Sequence, residues 1–210
     1  PEWSEQWEKY ADRAAKSIDA LTGFSEAVIA REVAANLPEG STLFVSSSRP
    51  IRDLEGFGAP RSGVRTYANR GLAGIDGNIS TALGIASASK QTFAVLGDLS
   101  FLHDLTGLIH REDIDCCFIV INNDGGGIFS TLPQRGVDGF ESVFGTPHGL
   151  DPAAIAGAMG ISASTISSID ELKKVLKSPV KGISVVVANV ASRDENADSL
   201  KAIYESMNSI

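Results

Sequence analysis

Cysteine is almost missing from this chain: Cys116 and Cys117 are the only two in 210 residues, and they are adjacent. Neighbours on a strand point to opposite faces, so an ordinary disulfide between them is implausible, and no metal-type cysteine spacing exists. Both read as small buried hydrophobes in a reducing compartment, which makes a cytoplasmic location the expectation. Long apolar runs are missing as well. None approaches the roughly 20 residues of a membrane span, and no signal peptide is recognisable. Positive charge is in deficit, with 18 Lys and Arg against 26 Asp and Glu and a formal net charge of −8. A nucleic-acid surface needs a basic patch, so that class is disfavoured. No block of like charge forms a tail. The opening Pro1-Glu2-Trp3 has no methionine, the start expected of a fragment entered at a linker.

What is present suits one large α/β domain. Hydrophobic residues make up 43% of the chain and charged residues 21%, enough apolar material for a core and too little charge for wholesale disorder. Trp3, Trp7, Tyr10, Ala14 and Ile18 recur at helical spacing and predict an amphipathic leading helix over 3–21. A second helix is expected over 25–36, stopped by Pro38 and Gly40. Beyond it, apolar runs alternate with helical stretches. Strands are expected at 42–46, 64–67, 92–96, 116–121, 161–166 and 183–190. Helices are expected at 75–89, 104–111, 152–159, 169–176 and 196–206. Runs such as Cys116-Cys117-Phe118-Ile119-Val120-Ile121 read as buried on both faces, the mark of parallel strands. The expected fold is therefore a doubly wound, mainly parallel six-stranded sheet with helices on both faces. Residues 1–23 are expected to form a linker and leading helix, and 24–210 the domain. Gly136–Gly149 lacks periodicity and reads as a loop near the site.

The sharpest local signal is Gly97-Asp98-Leu99-Ser100, followed at a distance by Asn122-Asn123-Asp124-Gly125-Gly126-Gly127. Each follows an apolar strand directly. In an open parallel sheet the carboxyl ends of the strands share one edge, where ligands bind, so Asp98 and Asn123 can converge. A carboxylate, an amide oxygen and a backbone carbonyl are hard ligands suited to Mg²⁺, which phosphate oxygens and water usually complete. Glycines beside them let backbone reach a diphosphate, and a helix after Ser100 could aim its positive end at the phosphate. Asn69-Arg70-Gly71-Leu72-Ala73-Gly74-Ile75-Asp76-Gly77 also opens a helix after a strand. Its glycines do not form the dinucleotide pattern, so that signal is weak.

The Gly-Asp motif, closed about thirty residues later by Asn-Asn, resembles the fingerprint of the thiamine-diphosphate enzymes. The usual third residue is glycine and here it is Leu99, which narrows the subfamily. Gly97 to Leu105 with Asn122 to Phe129 is similar to the 2-succinyl-5-enolpyruvyl-6-hydroxy-3-cyclohexene-1-carboxylate synthases of menaquinone and phylloquinone biosynthesis, in their carboxyl-terminal diphosphate-binding domain only, from about Phe24 onward. That resemblance implies thiamine diphosphate and Mg²⁺ as cofactors, with the metal on Asp98, Asn123 and the Gly125 carbonyl. It implies cofactor contacts from Gly97, Leu99, Ser100, Gly126, Ile128 and Phe129, with Leu132 nearby. It places Ile75 as the apolar support for the bent cofactor. Ser48, Arg52 and Arg70 match its substrate residues, and arginine forks suit dicarboxylates. The implied parent enzyme is a transferase that decarboxylates 2-oxoglutarate and adds the succinyl carbanion equivalent to isochorismate.

The same resemblance implies a homo-oligomer whose cofactor lies between domains, with the activating glutamate in an amino-terminal domain absent here. No catalytic residue is therefore assigned in this chain, and alone it is expected to be inactive. An acetolactate-synthase-like or decarboxylase-like enzyme is the alternative within the class, disfavoured by Leu99 and by the set Ser48, Arg52 and Arg70. A non-catalytic thiamine-fold binding module is the alternative outside it, disfavoured by the intact Asp98 and Asn123. His103, His110 and His148 have no metal-like spacing. The first two fall on one expected helix and read as packing or solvent-facing. His148 sits in a loop similar to one near the family's active site.

Overall fold

A computed structural model describes residues 2–109 and 113–208. Its centre is a six-stranded sheet, parallel throughout, in the order β2-β1-β3-β4-β6-β5. The strands are β1 (Thr42–Val45), β2 (Arg65–Tyr67), β3 (Thr92–Gly97), β4 (Cys116–Asn122), β5 (Ser162–Ile166) and β6 (Ile183–Asn189). The four middle strands are largely buried, whereas β2 is exposed throughout and β5 mostly so. Both exposed strands are sheet edges, where only one neighbour covers the backbone.

The helices are α1 (Glu2–Asp19), α2 (Glu26–Asn36), α3 (Arg49–Phe57), α4 (Asn78–Ala86), α5 (Asp98–His103), α6 (Pro152–Ala158), α7 (Ile169–Lys177) and α8 (Arg193–Asn208). They divide the core between the two faces of the sheet. One face packs Ile29 and Val33 of α2, Ile51 of α3, and Leu172 and Leu176 of α7 on Phe93, Val95, Ile119 and Ile121. The other packs Ile79, Ala82 and Leu83 of α4, Phe101 of α5 and Ala156 of α6 on Ala94, Leu96, Phe118 and Val120. Strand side chains alternate between faces, so Cys117 falls in the first cluster and Cys116 in the second. Both thiols are free and buried, and burial pushes each of them up from its usual range.

Several elements depart from expectation. The leading helix forms, but none of its residues is buried. Trp3 and Trp7 pack edge to face on each other and stay exposed, and only Ile18 near the end joins a small cluster with Ala27, Phe57, Leu200 and Ile203. Helix α3 was not anticipated. Its signal was present, since Ile51, Leu54 and Phe57 recur every three residues behind Pro50 in the first turn, where proline is preorganised for helix. The helix expected at 75–89 spans Asn78–Ala86, which leaves Ile75 in the turn before it. The stretch expected as a helix over 104–111 holds a 3₁₀ segment, Leu105–Ile109; His110 and Arg111 lie outside the described residues. The helix expected after Ser100 begins at Asp98 and has six residues. Ser100 therefore lies inside it, and so short a helix contributes little dipole. The 136–149 stretch is irregular apart from one π-turn at Glu141–Gly145. Among the described residues no helix is long and apolar enough to cross a membrane.

The core and the leading helix should respond differently to truncation. Phe118 is fully buried, so Phe118→Ala should cost about 3–5 kcal/mol. Trp7 is 59% exposed, so Trp7→Ala should stay within about 0.5 kcal/mol. Urea unfolding of both variants tests this, and comparable losses would place the leading helix within the cooperative core.

Candidate functional site

The chain runs from β1 through α3 outward to β2, and from β3 in the opposite direction to β4. Adjacent β1 and β3 therefore flank the point where strand order reverses, the crevice in which open parallel sheets hold ligands. A cleft of about 140 Å³ lies there. Its wall includes Ser48 and Arg49 after β1, the run Gly97 to Ser100 after β3, and Asn123 with Gly125 to Phe129 after β4. Every expected cofactor residue lines it, Ile75 included. Of the expected substrate residues only Ser48 does. Arg52 and Arg70 are exposed outside the wall, and Arg52 donates to the Ser48 carbonyl of its own helix turn at 2.8 Å.

Asp98 is 2% exposed and heavily hydrogen-bonded. Its Oδ1 accepts from the Leu99 N–H at 2.6 Å, and its Oδ2 from the Asn123 and Gly125 N–H groups at 3.2 and 2.9 Å. The carboxylate thus ties the end of β3 to the turn after β4. His148 Nε2 lies 3.3 Å from the same Oδ2. Its Nδ1 accepts from the Leu150 N–H at 3.0 Å, so in the neutral ring the proton sits on Nε2 and is donated to Asp98. His148 is therefore drawn into the site, though beside Asp98 rather than on the cleft wall.

On the cleft wall lies a charged cluster that sequence reasoning missed. The Asn123 Nδ2 donates to Glu26 Oε1 at 2.6 Å. Glu26 Oε2 is 3.5 Å from Arg49 Nε, and Arg49 also pairs with Asp53. All three line the cleft, and Glu26 and Asp53 are buried. Burial pushes the Glu26 carboxyl up, against the hydrogen bond from Asn123 and the charge of Arg49. Burial raises Asp53 from 3.8 to about 7, opposed by Arg49 and reinforced by Glu26. Glu26 opens a helix behind its N-cap Ser25, which reads from sequence as ordinary capping. Asp53 had a legible signal, because it follows Arg49 by four residues on the apolar side of a short helix.

The glycines divide by purpose. A side chain on Gly125, Gly126 or Gly127 would run into the Gly145 carbonyl, the Phe144 carbonyl or the Asn123 amide respectively. Their smallness serves loop packing, a purpose the sequence did not reveal, while their backbone still lines the cleft. At Gly125 a φ of +132° adds a backbone reason. Gly97 is different: an added Cβ would meet nothing, on a backbone that any residue can adopt. The protein does not require glycine there, and the space lies on the cleft wall. The Arg193 guanidinium locks the loops together by donating to the Asp124 and Gly145 carbonyls and pairing with Glu141. Asp124 Oδ1 accepts from the His148 and Gly149 N–H groups at 3.0 and 2.8 Å. These bonds, that from Gly149 foremost, hold its carboxyl below the usual range. Ser100 bridges Asn78 and the Ile75 carbonyl at 2.8 and 3.1 Å, which pins the turn that carries Ile75.

The donor set fits a hard divalent cation. The buried Asn123 Oδ1 has no hydrogen-bond partner, Asp98 Oδ1 accepts one backbone N–H, and the Gly125 carbonyl accepts from Gly127 N at 3.0 Å. Carboxylate and carbonyl oxygens each have two lone pairs, so both keep capacity. Among the described residues no three His, Cys, Asp or Glu side chains cluster as metal ligands, so a cation here would rely on the amide and the carbonyl beside one carboxylate.

Comparison with known proteins points the same way. The family described as thiamine pyrophosphate enzyme, C-terminal TPP binding domain, matches residues 56–190. The chain is 45% identical over 167 residues to the 2-succinyl-5-enolpyruvyl-6-hydroxy-3-cyclohexene-1-carboxylate synthase of Thermobifida fusca, covering 76% of this chain and 30% of that protein. It is 38% identical over 212 residues to the synthase of the same name from Bacillus cytotoxicus, covering 97% and 36%. It thus spans about a third of the length of these curated relatives. The crystal structure of benzoylformate decarboxylase from Polynucleobacter necessarius shares the fold, with a TM-score of 0.57 at 21% identity over 79% of this chain and 33% of that one.

Asp53 makes stability depend on pH. Its folded value near 7 lies above the unfolded value near 3.8, so between the two the folded state holds the extra proton. Stability from this group is then fully present at low pH and is lost as pH rises through about 4 to 7. Asp53→Asn should remove that decline. Urea unfolding at intervals from pH 4.5 to 8 reads it, and parallel profiles for both proteins would contradict it.

Proposed function

Because the chain belongs to the thiamine pyrophosphate enzyme family, as its carboxyl-terminal TPP-binding domain, we propose that the cleft holds the diphosphate of thiamine diphosphate through Mg²⁺ on Asp98, Asn123 and the Gly125 carbonyl. The observation that carries this reading is the convergence of Asp98 with Asn123, whose amide oxygen is buried and unpartnered. Gly97 supports it by leaving room on the wall that no part of the protein uses. When bound, thiamine diphosphate supplies the carbanion chemistry, and the protein supplies position and electrostatics.

The chain's own residues divide that work. Asp98 and Asn123 hold the cation, and Asp98 also fixes the two strand ends on which the site stands. Ile75 would pack against the cofactor from a turn anchored by Ser100. Leu99, Ser100, Gly126, Ile128 and Phe129 close the wall. Ser48, Arg52 and Arg70 receive substrate carboxylates. Ser48 lines the cleft, with φ +75°, a strained backbone for a residue other than glycine. The substrates are those of the relatives' parent reaction, 2-oxoglutarate and isochorismate.

This reading also makes the chain one part of a longer cytoplasmic enzyme. Leu72 is 94% exposed and Ile75 43%, with Leu132, Val143 and Leu150 also exposed. Uncovered apolar groups such as these, with Ile75 on the cleft wall, are what an amino-terminal domain, from the same chain or a second copy, would cover. That domain would bring the glutamate that activates the cofactor.

The experiment separates cofactor from substrate in the full-length enzyme. Asp98→Ala should abolish Mg²⁺-dependent binding of thiamine diphosphate by calorimetry. Arg52→Ala and Arg70→Ala should bind cofactor normally and lose substrate use, since a charge-assisted hydrogen bond is worth about 1.5–3 kcal/mol, or roughly 10- to 150-fold. Unchanged cofactor affinity in Asp98→Ala contradicts the metal assignment. A loss confined to cofactor affinity in the arginine variants reassigns them to phosphate.

A further inference from the structure

We propose that Glu26 is a positioning residue for the cation, and that it acts by fixing which end of the Asn123 amide is offered to the site. The inference rests on the cofactor reading above and adds to it a residue ninety-seven positions away in the chain.

A side-chain amide is ambivalent. Its oxygen and nitrogen are nearly the same shape, yet the oxygen accepts and the nitrogen only donates. Offered to a cation, the oxygen binds and the N–H₂ repels, so a metal-binding asparagine needs something to set its rotation. Glu26 can do this. Its Oε1 takes the Nδ2 hydrogen at 2.6 Å, and an ionised carboxylate, which only accepts, rejects the opposite rotation. At the other end of the amide, Asn123 Oδ1 is buried without a hydrogen-bond partner. Buried polar atoms are normally satisfied, and one that is not calls for a reason. A cation ligand held ready is such a reason, whereas a bond made only for packing would leave the oxygen unexplained.

Two further features keep the arrangement in place. Gly127 leaves the amide its room, since a side chain there would run into Nδ2. Arg49 holds the acceptor from behind, with Nε 3.5 Å from Glu26 Oε2 and its other end paired with Asp53. The series Asp53, Arg49, Glu26, Asn123 therefore transmits orientation from α3 through α2 to the end of β4. Partners of this kind, which hold a ligand without touching the metal, typically matter by about 10- to 100-fold in metal affinity.

The test uses the 210-residue chain, with Mn²⁺ as the probe followed by EPR in the presence of thiamine diphosphate. Circular dichroism confirms the fold of each variant. Glu26→Met and Glu26→Ala remove the acceptor, and whichever keeps the wild-type spectrum is compared. The expected loss is about 10- to 100-fold in Mn²⁺ affinity. Glu26→Gln retains an oxygen that can take the Nδ2 hydrogen but no longer rejects the opposite rotation, so its affinity should fall between wild type and the Met variant. In an Asn123→Asp background both oxygens are alike and nothing needs orienting, so removing Glu26 should cost nothing more. Equal losses in both backgrounds, or a Gln variant as weak as the Met one, overturn the proposal. Asp98→Ala is the control. If it leaves Mn²⁺ affinity unchanged, the cofactor reading fails and this inference with it; if it abolishes binding while the Glu26 variants bind normally, the positioning role alone is wrong.

Discussion

In a sheet whose strands all run one way, every carboxyl end arrives at the same edge, and each connection must cross a face before the next strand can start. The remaining features of this molecule depend on that constraint. It buries the four middle strands under helices on both sides, which is why Cys116-Cys117-Phe118-Ile119-Val120-Ile121 has no polar alternation. It also gathers Ser48, Gly97, Asp98 and Asn123, scattered along the chain, around one crevice. The reversal of strand order between β1 and β3 opens that crevice, because the two outgoing connections leave in opposite directions.

Once the edge is formed, its difficulty is charge. Glu26, Asp53 and Asp98 are all buried there, and the guanidinium among them is that of Arg49. Asp98 is stabilised by backbone N–H groups from two strand ends. Glu26 and Asp53 are not so well served, and burial pushes both carboxyls upward. A concentration of buried acceptors is suited to a divalent cation, which would offset their mutual repulsion. Stability and binding are then opposed at this edge, as is common where a site is held ready for a charged ligand.

The fold was legible in the sequence because its signals are local. Four apolar runs and two edge strands that are more polar, separated by helical stretches, are enough to specify a doubly wound sheet, and all six strands form. The convergence of Asp98 and Asn123 was legible for a related reason: each follows or closes its strand directly, so strand ends alone bring them together. Much of what escaped notice depends on contacts between distant segments. Glu26 looks like a helix-opening acid until Asn123 is seen against it. Helix α3 was overlooked because Ser48, Arg49 and Arg52 drew the reading toward chemistry and away from the spacing of Ile51, Leu54 and Phe57. The apolar stripe of α1 was recognised, but periodicity does not say whether anything lies against it. At Gly125 to Gly127 the loop-packing purpose was not legible, since the crowding carbonyls of Phe144 and Gly145 come from a loop without pattern.

The central claim is that the β1/β3 crevice is a cation and diphosphate site. Anomalous diffraction from crystals of the chain grown with Mn²⁺ and thiamine diphosphate tests it most directly. The expected result is a Mn²⁺ peak liganded by Asp98, the Asn123 amide oxygen and the Gly125 carbonyl, with the diphosphate beside Gly97. A Mn²⁺ and diphosphate bound instead in the polar cleft between the ends of β4 and β6, where Asn122, Asp124, Asn189 and Arg193 gather, would contradict it.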